Sequence, residues 1–451
     1  MTINVYNIEA AIMNKMSSAS TELELLEYSK MLEQIKTGVV STVDTFASLP
    51  AYADSVGHMY YVKDEETIYW ANATSGWIAL NVPATNALYI WGNPIYGKLL
   101  NLSTSIAASS PRQEICSFTN WCSIAENYHS QHAVKCDGTL WSWGYNGARQ
   151  LGANMPSYCV KCTPVQEYCS ATNWCTVYGS GIAAILALKT DGTLWGWGSG
   201  QCGVLATGDV SNKLYPTQDI TSSTTWSKIS MFKYGTGGIK SDGTLWNWGQ
   251  NNYGQSGINC IVPPNFSSPV QEYTSSTNWC NLKADSDYRL ALKTDGTMWN
   301  WGYNWCGALG LGSTVPTQVS SPVQEVSSST NWCAVSRSSG IKTDSTLWWW
   351  GYNASGIGFQ NNTTNYSSPS QEITSSTNWC FLHATNAQTF GIKTDGTLWG
   401  GGANTCGSLG DNTVTQRSSP VQEASSATDW CSVDAGGFIY LSTMALKTTT
   451  F

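Results

Sequence analysis

The chain has 451 residues, more than one ordinary domain needs, and only 12% of them are charged, with a net charge of −8. No block of lysines or arginines could follow a phosphate backbone, and no stretch approaches the roughly 18 apolar residues of a membrane span, so we expect neither nucleic acid nor a membrane as partner. Few charges, 42 glycines and 23 tryptophans together favour an all-β fold.

Residues 1–40 form the first predicted segment. The opening residues lack a basic region followed by an apolar run, so no secretory signal is predicted and we expect a soluble product made in the cytoplasm. Thr21 and Glu24 fit a capping box, which predicts a helix over residues 22–37. Four apolar positions have the spacing of a short coiled-coil seam, namely Leu25, Tyr28, Leu32 and Ile35. A homo-oligomer is one interpretation, and an amphipathic helix lying on its own protein is the other.

Residues 41–83 are predicted to form a small β module. His58–Val62 and Thr67–Trp70 alternate in polarity around an acidic turn, and Trp77–Leu80 could add a third strand. The SLP start at 48–50, the hairpin GHMYYVKDEETIYW at 57–70 and the closing GW at 76–77 resemble pieces found in tail-fibre and other virion proteins of bacteriophages. This resemblance implies an attachment module that docks to other virion proteins.

An internal repeat dominates residues 84–451. The letters TNWC stand at 119–122, 172–175, 277–280, 330–333 and 377–380, with looser copies at 224–227 and 428–431. A second landmark, LWxWG, recurs at 140–144, 194–198, 245–249, 298–302, 347–351 and 398–402, and an outlying copy lies at 88–92. Both landmarks give seven copies with a period of about 52 residues, which is typical of a repeat architecture.

One unit, residues 277–325, shows what each copy forms. It opens with the run TNWCNLKA, and it then carries LALKT and TMWNW on either side of Asp295-Gly296, a strong signal for a hairpin with a type I′ turn. A glycine-rich loop leads to SPVQEV, so the unit contains about four short strands. Four-stranded units of this length predict the blades of a seven-bladed β-propeller.

The two ends of the repeat region predict ring closure. The last unit stops at Met444–Thr449, which matches only the first half of the hairpin, and the missing half stands alone at Leu88–Gly92. We therefore expect strands from the N-terminal and C-terminal sides to complete one composite blade.

Three kinds of residue recur once per unit. The tryptophans are interpreted as wedges between blades, with sugar-stacking platforms as the alternative: Trp121, Trp174, Trp226, Trp279, Trp332, Trp379 and Trp430. The lysines are Lys135, Lys189, Lys240, Lys293, Lys342, Lys393 and Lys447, and the acids are Glu114, Glu167, Asp219, Glu272, Glu325, Glu372 and Glu423. They suggest a repeated ion pair or, alternatively, two separate solvated rims. Because an exposed pair contributes roughly 0–1 kcal/mol, Lys293→Met is expected to cost little.

The fifteen cysteines mostly follow the repeat, and Ser227 replaces one of them, so we interpret them as small buried residues in a reducing compartment. A zinc site at Cys159, Cys162, Cys169 and Cys175 is a weaker hypothesis because the second pair lacks the usual spacing. His129 and His132 have no accompanying nucleophile, and the GTGG run at 235–238 lacks the lysine of a phosphate loop. We therefore predict no catalytic residue, metal or cofactor, and single out no binding residue.

The repeats also resemble a known family. LKTDGTLWGWG at 188–198, NGARQLG at 146–152 and SPVQE at 321–325 resemble the repeat of the regulator-of-chromosome-condensation family, over about residues 84–451. The resemblance implies a seven-bladed propeller closed by strands from both termini. The founding member acts on a small GTPase and binds chromatin, but this chain has no basic tail, and no residues match an exchange-factor face.

These observations lead to a functional hypothesis. We predict a non-enzymatic bacteriophage virion protein, a tail fibre, baseplate or decoration component, whose propeller binds a host-surface glycan or a protein. The alternatives are an intracellular propeller scaffold for protein–protein interaction and a polysaccharide-degrading enzyme. Partner specificity is expected in the loops that differ most between copies: 153–162, 206–214 and 258–266.

Overall fold

The computed structural model describes the backbone of the strands at 40–43, 59–62, 67–72 and 76–80, and then residues 85–100, 107–114, 120–179, 181, 183–436 and 441–449. The helix expected at residues 22–37 lies outside the described residues. The chain divides into two compact units, one formed by Met1–Asn86 with Thr448–Phe451 and the other by Ala87–Lys447.

The first unit contains a four-stranded sheet. Its strands are Val40–Val43, Met59–Val62, Thr67–Asn72 and Gly76–Leu80, in that order across the sheet. The hairpin predicted from the alternating residues is present, with Met59 opposite Trp70, and the third strand pairs as expected. Val40–Val43 was not predicted, because it pairs in parallel with a strand that is distant in sequence and no local turn signal accompanies such a pair.

The second unit is a seven-bladed propeller, which confirms the all-β fold predicted from the repeat. Seven four-stranded antiparallel sheets form blades 1 to 7, and in blades 1 to 6 the order across the sheet follows the chain. The inner strands of neighbouring blades contact one another around a central channel.

The strand bounds are as follows. The inner strands are Trp121–Glu126, Trp174–Gly179, Trp226–Phe232, Trp279–Ala284, Trp332–Ser336, Trp379–Ala384 and Trp430–Ala435. The second strands are Ser130–Lys135, Ala184–Lys189, Gly235–Lys240, Tyr288–Lys293, Ser339–Lys342, Gln388–Lys393 and Ser442–Thr449. The third strands are Leu140–Tyr145, Leu194–Gly198, Leu245–Gln250, Met298–Tyr303, Leu347–Gly351, Leu398–Gly402 and Thr85–Gly92. The outer strands are Val160–Gln166, Lys213–Gln218, Asn265–Gln271, Gln318–Gln324, Tyr366–Gln371, Arg417–Gln422 and Ala108–Gln113.

Blade 7 closes the ring as predicted. Ser442–Thr449 lies between Trp430–Ala435 and Thr85–Gly92 in one sheet. The backbone N–H of Asn93 donates to the carbonyl of Leu441 at 2.8 Å, just beyond the paired strands. The two halves of the interrupted hairpin therefore meet without a turn between them.

The antiparallel order gives the propeller two distinct faces. The connections between inner and second strands, and between third and outer strands, emerge on one side, which we call the loop face. The Asp-Gly hairpins and the links to the next blade emerge on the other side, which we call the hairpin face.

The repeated tryptophans lie between blades, as predicted. Trp279 of blade 4 is 2% exposed and packs with Ile239 and Leu245 of blade 3 in one apolar cluster. Its backbone N–H also donates to the carbonyl of Gly243, in the hairpin of blade 3, at 3.0 Å. The same backbone bond to the preceding blade forms at five further wedges, so apolar burial and this bond together hold them: Trp174, Trp226, Trp332, Trp379 and Trp430.

A second set of tryptophans also joins blades. The indole Nε1 of a third-strand tryptophan donates to a carbonyl of the preceding blade, as Trp301 does to Gln255 at 3.0 Å. The same bond forms at Trp91, Trp143, Trp197, Trp248 and Trp350. Every such donor is buried and satisfied, as a core tryptophan requires.

The repeated lysines and acids do not pair with each other in blade 4. Glu272 accepts the indole N–H of Trp279 at 3.1 Å and the backbone N–H of Thr274 and Ser276. The Nζ of Lys293 lies 4.8 Å from the ring centre of Trp279 and 4.6 Å from that of Trp299. Both the ion-pair and the solvated-rim interpretations are therefore wrong here, because the acid is buried against the inter-blade link and the lysine lies over two aromatic faces.

This geometry raises the expected cost of Lys293→Met. A cation over two partly desolvated indole rings contributes about 1–2 kcal/mol, so the substitution should lower the free energy of unfolding by that amount. Lys161→Met is the matched control, because the side chain of Lys161 forms no hydrogen bond, ion pair or cation–π contact in the described structure. Urea unfolding of both variants measures the difference. Equal stability of the two variants would contradict the cation–π interpretation.

The inner-strand cysteines are not uniformly buried, which corrects the prediction. Cys175, Cys333, Cys380 and Cys431 are exposed, because each follows its tryptophan at a point where the strand register shifts. In Cys333, Cys380 and Cys431 the thiol donates to a carbonyl of the second strand, and Ser227 makes the equivalent bond through its hydroxyl at 2.9 Å. This shared donor role explains why serine replaces cysteine, while Cys122 instead forms a disulfide with Cys136.

Candidate protein-binding face and central channel

The loop face collects the most variable parts of the repeat. The three loops predicted to carry specificity, at 153–162, 206–214 and 258–266, lie mostly in the links between third and outer strands of blades 1, 2 and 3, and each range ends in the first residues of the outer strand. A buried asparagine holds the start of most of these links. Asn304 donates from Nδ2 to the carbonyl of Ser313 at 2.9 Å and accepts at Oδ1 from the N–H of Leu309. The loop tips can therefore vary while the blades stay the same.

Exposed apolar side chains mark the tips of five of these links. They are Tyr158, Val210, Val262, Val315 and Val414, and each is at least 61% exposed. Single exposed apolar residues are ordinary, but one in each of five blades on the same face forms a pattern. The loop face is distinguished only when its aromatic side chains are added, because a comparable exposed set follows the outer strands at the other end of the blades: Tyr168, Ile220, Tyr273, Val326 and Ile373.

Aromatic pairs bridge neighbouring blades on the same face. The ring centres are 4.5 Å apart for Tyr253 and Tyr303, and 4.8 Å apart for Trp305 and Tyr352. Trp305 is 50% exposed although its ring is stacked. Tyrosine and tryptophan held in fixed positions are the residue types that dominate binding energy at protein interfaces.

The central channel encloses about 400 Å³ and is lined mainly by inner strands. Three titratable side chains reach it from the fifth position of these strands: Lys283 in blade 4, His383 in blade 6 and Asp434 in blade 7. His383 Nε2 lies 3.1 Å from Asp434 Oδ1, and the backbone N–H of Glu126 donates to Asp434 Oδ2 at 2.9 Å. Asp434 thus also ties blade 7 to blade 1.

Burial shifts the protonation of this group. It raises the pKa of Asp434 to about 7 and lowers the pKa of His383 to about 3, where Lys283 adds to the effect. Burial also lowers the pKa of Lys283, against the attraction of Asp434. Near neutral pH the channel therefore holds a neutral imidazole beside a carboxyl group that is close to its titration midpoint.

A pH-dependent stability follows from Asp434. Because its pKa is raised in the folded state, the folded protein binds the proton more tightly, and ionisation costs stability as the pH rises from about 4 to about 7. Asp434→Asn removes this cost and can still accept from Glu126. The variant's advantage over the natural chain should grow by about 2–3 kcal/mol between pH 5 and pH 8 and stop growing above pH 7.

Urea unfolding at several pH values measures this difference. His383 acts in the opposite direction below about pH 6.5, because the unfolded chain binds its proton more readily. The comparison between the two chains isolates Asp434 from that contribution. A pH-independent difference would contradict the raised pKa.

The structure places the other residues considered from sequence in structural roles. His132 is buried between Ser130 and Ser142, and burial lowers its pKa to about 3. Within the described residues no three His, Cys, Asp or Glu side chains are grouped to hold a metal ion, and this includes Cys159, Cys162, Cys169 and Cys175. Residues 235–238 belong to the second strand of blade 3.

Sequence reasoning missed Lys283, His383, Asp434 and Trp305. The first three occupy the inner-strand position that is Ala125 in blade 1 and Ser230 in blade 3. Aligning the seven units would show charged residues at this place, but only the closed ring shows that these positions face one channel.

Known proteins confirm the fold. No family model matches the chain. The ultraviolet-B receptor UVR8 of Arabidopsis thaliana is 28% identical over 201 residues, 42% of this chain and 44% of that protein. The human E3 ubiquitin-protein ligase HERC2 is 22% identical over 272 residues, 57% of this chain and 6% of that protein. The chain spans less than half the length of these curated relatives.

Solved structures show the same architecture. Human WBSCR16 superposes with a TM-score of 0.69 at 15% identity, over 80% of this chain and 100% of that one. Yeast RCC1 (Prp20), solved with Kap60, gives a TM-score of 0.70 at 14% identity, over 81% and 89% of the two chains. The repeat region is therefore an RCC1-like seven-bladed propeller. In the described part of the chain, no helix has the length and apolar character to span a membrane.

Proposed function

We propose that the chain is a protein-binding scaffold and that its loop face receives the partner. The observation that carries this proposal is the set of exposed apolar loop tips on a face that also bears stacked aromatic pairs. An RCC1-like propeller is typical of interaction scaffolds, and yeast Prp20p is described with binding to Gsp1p and histones. The scaffold, which was the alternative interpretation of the sequence, thus becomes the leading one.

The propeller is proposed to bind rather than to catalyse. In support, Asp434 accepts a backbone N–H of the next blade, so one of its oxygens is committed to holding the ring. The ligases among the relatives are matched over only 6–14% of their length, so their activity gives no support for an enzyme here.

A virion role is the second candidate, and the sheet of the first unit favours it. The hairpin that carries the resemblance to virion proteins is present, from Met59 to Asn72. The relatives described above come from a plant and from humans and favour the scaffold instead. Mass spectrometry of purified particles tests the virion role, and absence of the chain from them would reject it.

Charge substitutions on the loop face test the leading proposal. The variant combines Val210→Asp, Val262→Asp and Val315→Asp. The matched control combines Ile220→Asp, Tyr273→Asp and Val326→Asp, which are similarly exposed but follow the outer strands at the other end of the blades. Partners should be recovered by the natural chain and by the control, but not by the loop-face variant. Equal recovery by both variants would reject the loop face as the binding surface.

A further inference from the structure

Blade 5 departs from the repeat at one place on the loop face. Its inner and second strands, from Trp332 to Lys342, span 11 residues, whereas the same elements of blade 4, from Trp279 to Lys293, span 15. The shorter hairpin leaves a cleft at the boundary of blades 4 and 5, with an enclosed volume of about 50 Å³. Side chains of both blades line it.

An additional tryptophan reaches this cleft. Trp349 occupies a third-strand position that holds Asn300 in blade 4 and Gly400 in blade 6. Gly358 makes room for it, since a side chain there would lie 2.6 Å from the indole. Trp349 is 3% exposed, and its Nε1 has no hydrogen-bond partner among the described residues. The Nε1 atom is itself inaccessible to solvent, so the indole forms a wall of the cleft and does not offer this N–H to a ligand.

The walls of the cleft are aromatic and held in place. The cleft is lined by Tyr303, Trp305 and Tyr352. Tyr303 is stacked on Tyr253 of blade 3, and Trp305 is stacked on Tyr352. Trp305 is the exposed member, so one face of its ring is open to solvent at the mouth. A flat apolar ligand would therefore meet a surface that needs no rearrangement.

The polar groups of the cleft select among ligands. Asp287 lines it, its side chain forms no hydrogen bond or ion pair in the described structure, and burial raises the pKa of its carboxyl group. Arg337 is already engaged, because its Nε lies 2.9 Å from Asp285 Oδ2 and donates to the hydroxyl of Tyr288. An anionic ligand would find no free cation.

A cationic ligand is also disfavoured, because Lys233, Arg337 and Arg289 already act on Asp287. What the cleft offers is an unused carboxyl acceptor and an apolar aromatic face. A proline-rich segment would supply acceptors but few donors. A sugar ring supplies hydroxyl groups that both donate and accept, together with an apolar C–H face.

We propose that this cleft binds a pyranose residue of a neutral glycan. The C–H face of the sugar stacks on Trp305, and a hydroxyl group at its edge donates to the carboxyl group of Asp287. The enclosed volume accommodates only that edge, so the rest of the ring lies on the exposed indole. This site does not depend on a protein partner at the loop tips.

Saturation-transfer NMR on the full chain tests the proposal, with methyl glycosides of glucose, galactose, mannose and N-acetylglucosamine as probes. At least one glycoside should receive saturation at millimolar concentration. Trp305→Ala should weaken its binding by at least about tenfold, or ~1.4 kcal/mol. Tyr158→Ala, an exposed aromatic on the same face but in blade 1, should leave binding unchanged.

Asp287→Asn is a second variant, which keeps the aromatic wall intact, and it should weaken the binding of the same glycoside. Thermal unfolding of each variant confirms that it is folded. The proposal is overturned if no glycoside binds, if Trp305→Ala and Tyr158→Ala bind equally well, or if proline-rich or basic peptides bind the cleft while the glycosides do not.

Discussion

Replacing Glu126 by alanine is expected to destabilise the protein by about 3–5 kcal/mol, because it removes the partner of a buried charge. The Nζ of Lys98 lies 2.8 Å from Glu126 Oε1, and both side chains are fully buried. The hydroxyl of Ser442 also donates to this carboxylate. Lys98 and Ser442 belong to blade 7 and Glu126 to blade 1, so the pair lies where the ring closes.

The charges are specific to this boundary. The residues that correspond to Lys98 in blades 2 and 4 are Val204 and Ala308, and those that correspond to Glu126 are Gly179 and Ala284. The double substitution Lys98→Met with Glu126→Leu should therefore recover most of the lost stability, since an apolar pair replaces the ionic one. Chemical denaturation measures all three variants. A double variant as unstable as Glu126→Ala would show that the loss comes from packing and not from the unpaired lysine.

Exchanging the large residue Phe359 of blade 5 and the small residue Gly401 of blade 6 is expected to show a strong energetic coupling between the two positions. Blade 6 has Gly401 where the six other blades carry a third-strand tryptophan, and Phe359 of blade 5 fills the space. A side chain built on Gly401 would lie 2.5 Å from the phenyl ring. At the position of Phe359, four of the other boundaries place a glycine, such as Gly310 beside Trp350, and the remaining two place Ala206 and Leu100.

Each single exchange should cost several kcal/mol. Phe359→Gly leaves a void, which should cost about 3–5 kcal/mol of stability. Part of this loss is offset, because glycine adopts the positive φ of 56° at this position without the strain that phenylalanine bears. Gly401→Trp places an indole into occupied space.

Together the two exchanges place a tryptophan against a glycine of the preceding blade, as Trp350 lies against Gly310. The double variant should therefore lie within about 1–2 kcal/mol of the natural chain, which gives a coupling energy of several kcal/mol. Urea unfolding of the four chains in the cycle measures it. Additive losses would contradict the account of complementary sizes at this boundary.

Much of the propeller could be predicted because its signals are local and repeated. Asp295-Gly296 predicts a hairpin because these two residues favour a type I′ turn. The half-hairpins at 88–92 and 444–449 each lack a local partner, which predicts that they pair with each other. The partners of Lys293 and Glu272 could not be predicted, because opposite charges suggested that the two residues pair with each other. A lysine can instead lie over an indole ring, and a carboxylate can instead accept an indole N–H. Which alternative wins depends on distances across blades.

The channel and the cleft depend on the closed ring in the same way. Asp434 and His383 are 51 residues apart in sequence and become neighbours only through the curvature of the sheets. The interval between Trp332 and Trp379 is shorter than the other intervals, so the deletion in blade 5 is visible in the sequence. Its consequence is not visible there, since the aromatic side chains that it exposes come from two different blades.

The strand Ser442–Thr449 closes the ring by pairing on both sides within blade 7. A chain ending at Leu441 should lose its cooperative unfolding transition, because blade 7 then lacks its second strand, and a synthetic peptide covering residues 442–451 should restore the transition when added. Unfolding of the shortened chain at the same denaturant concentration as the full chain, with no effect of the peptide, would contradict the closed propeller.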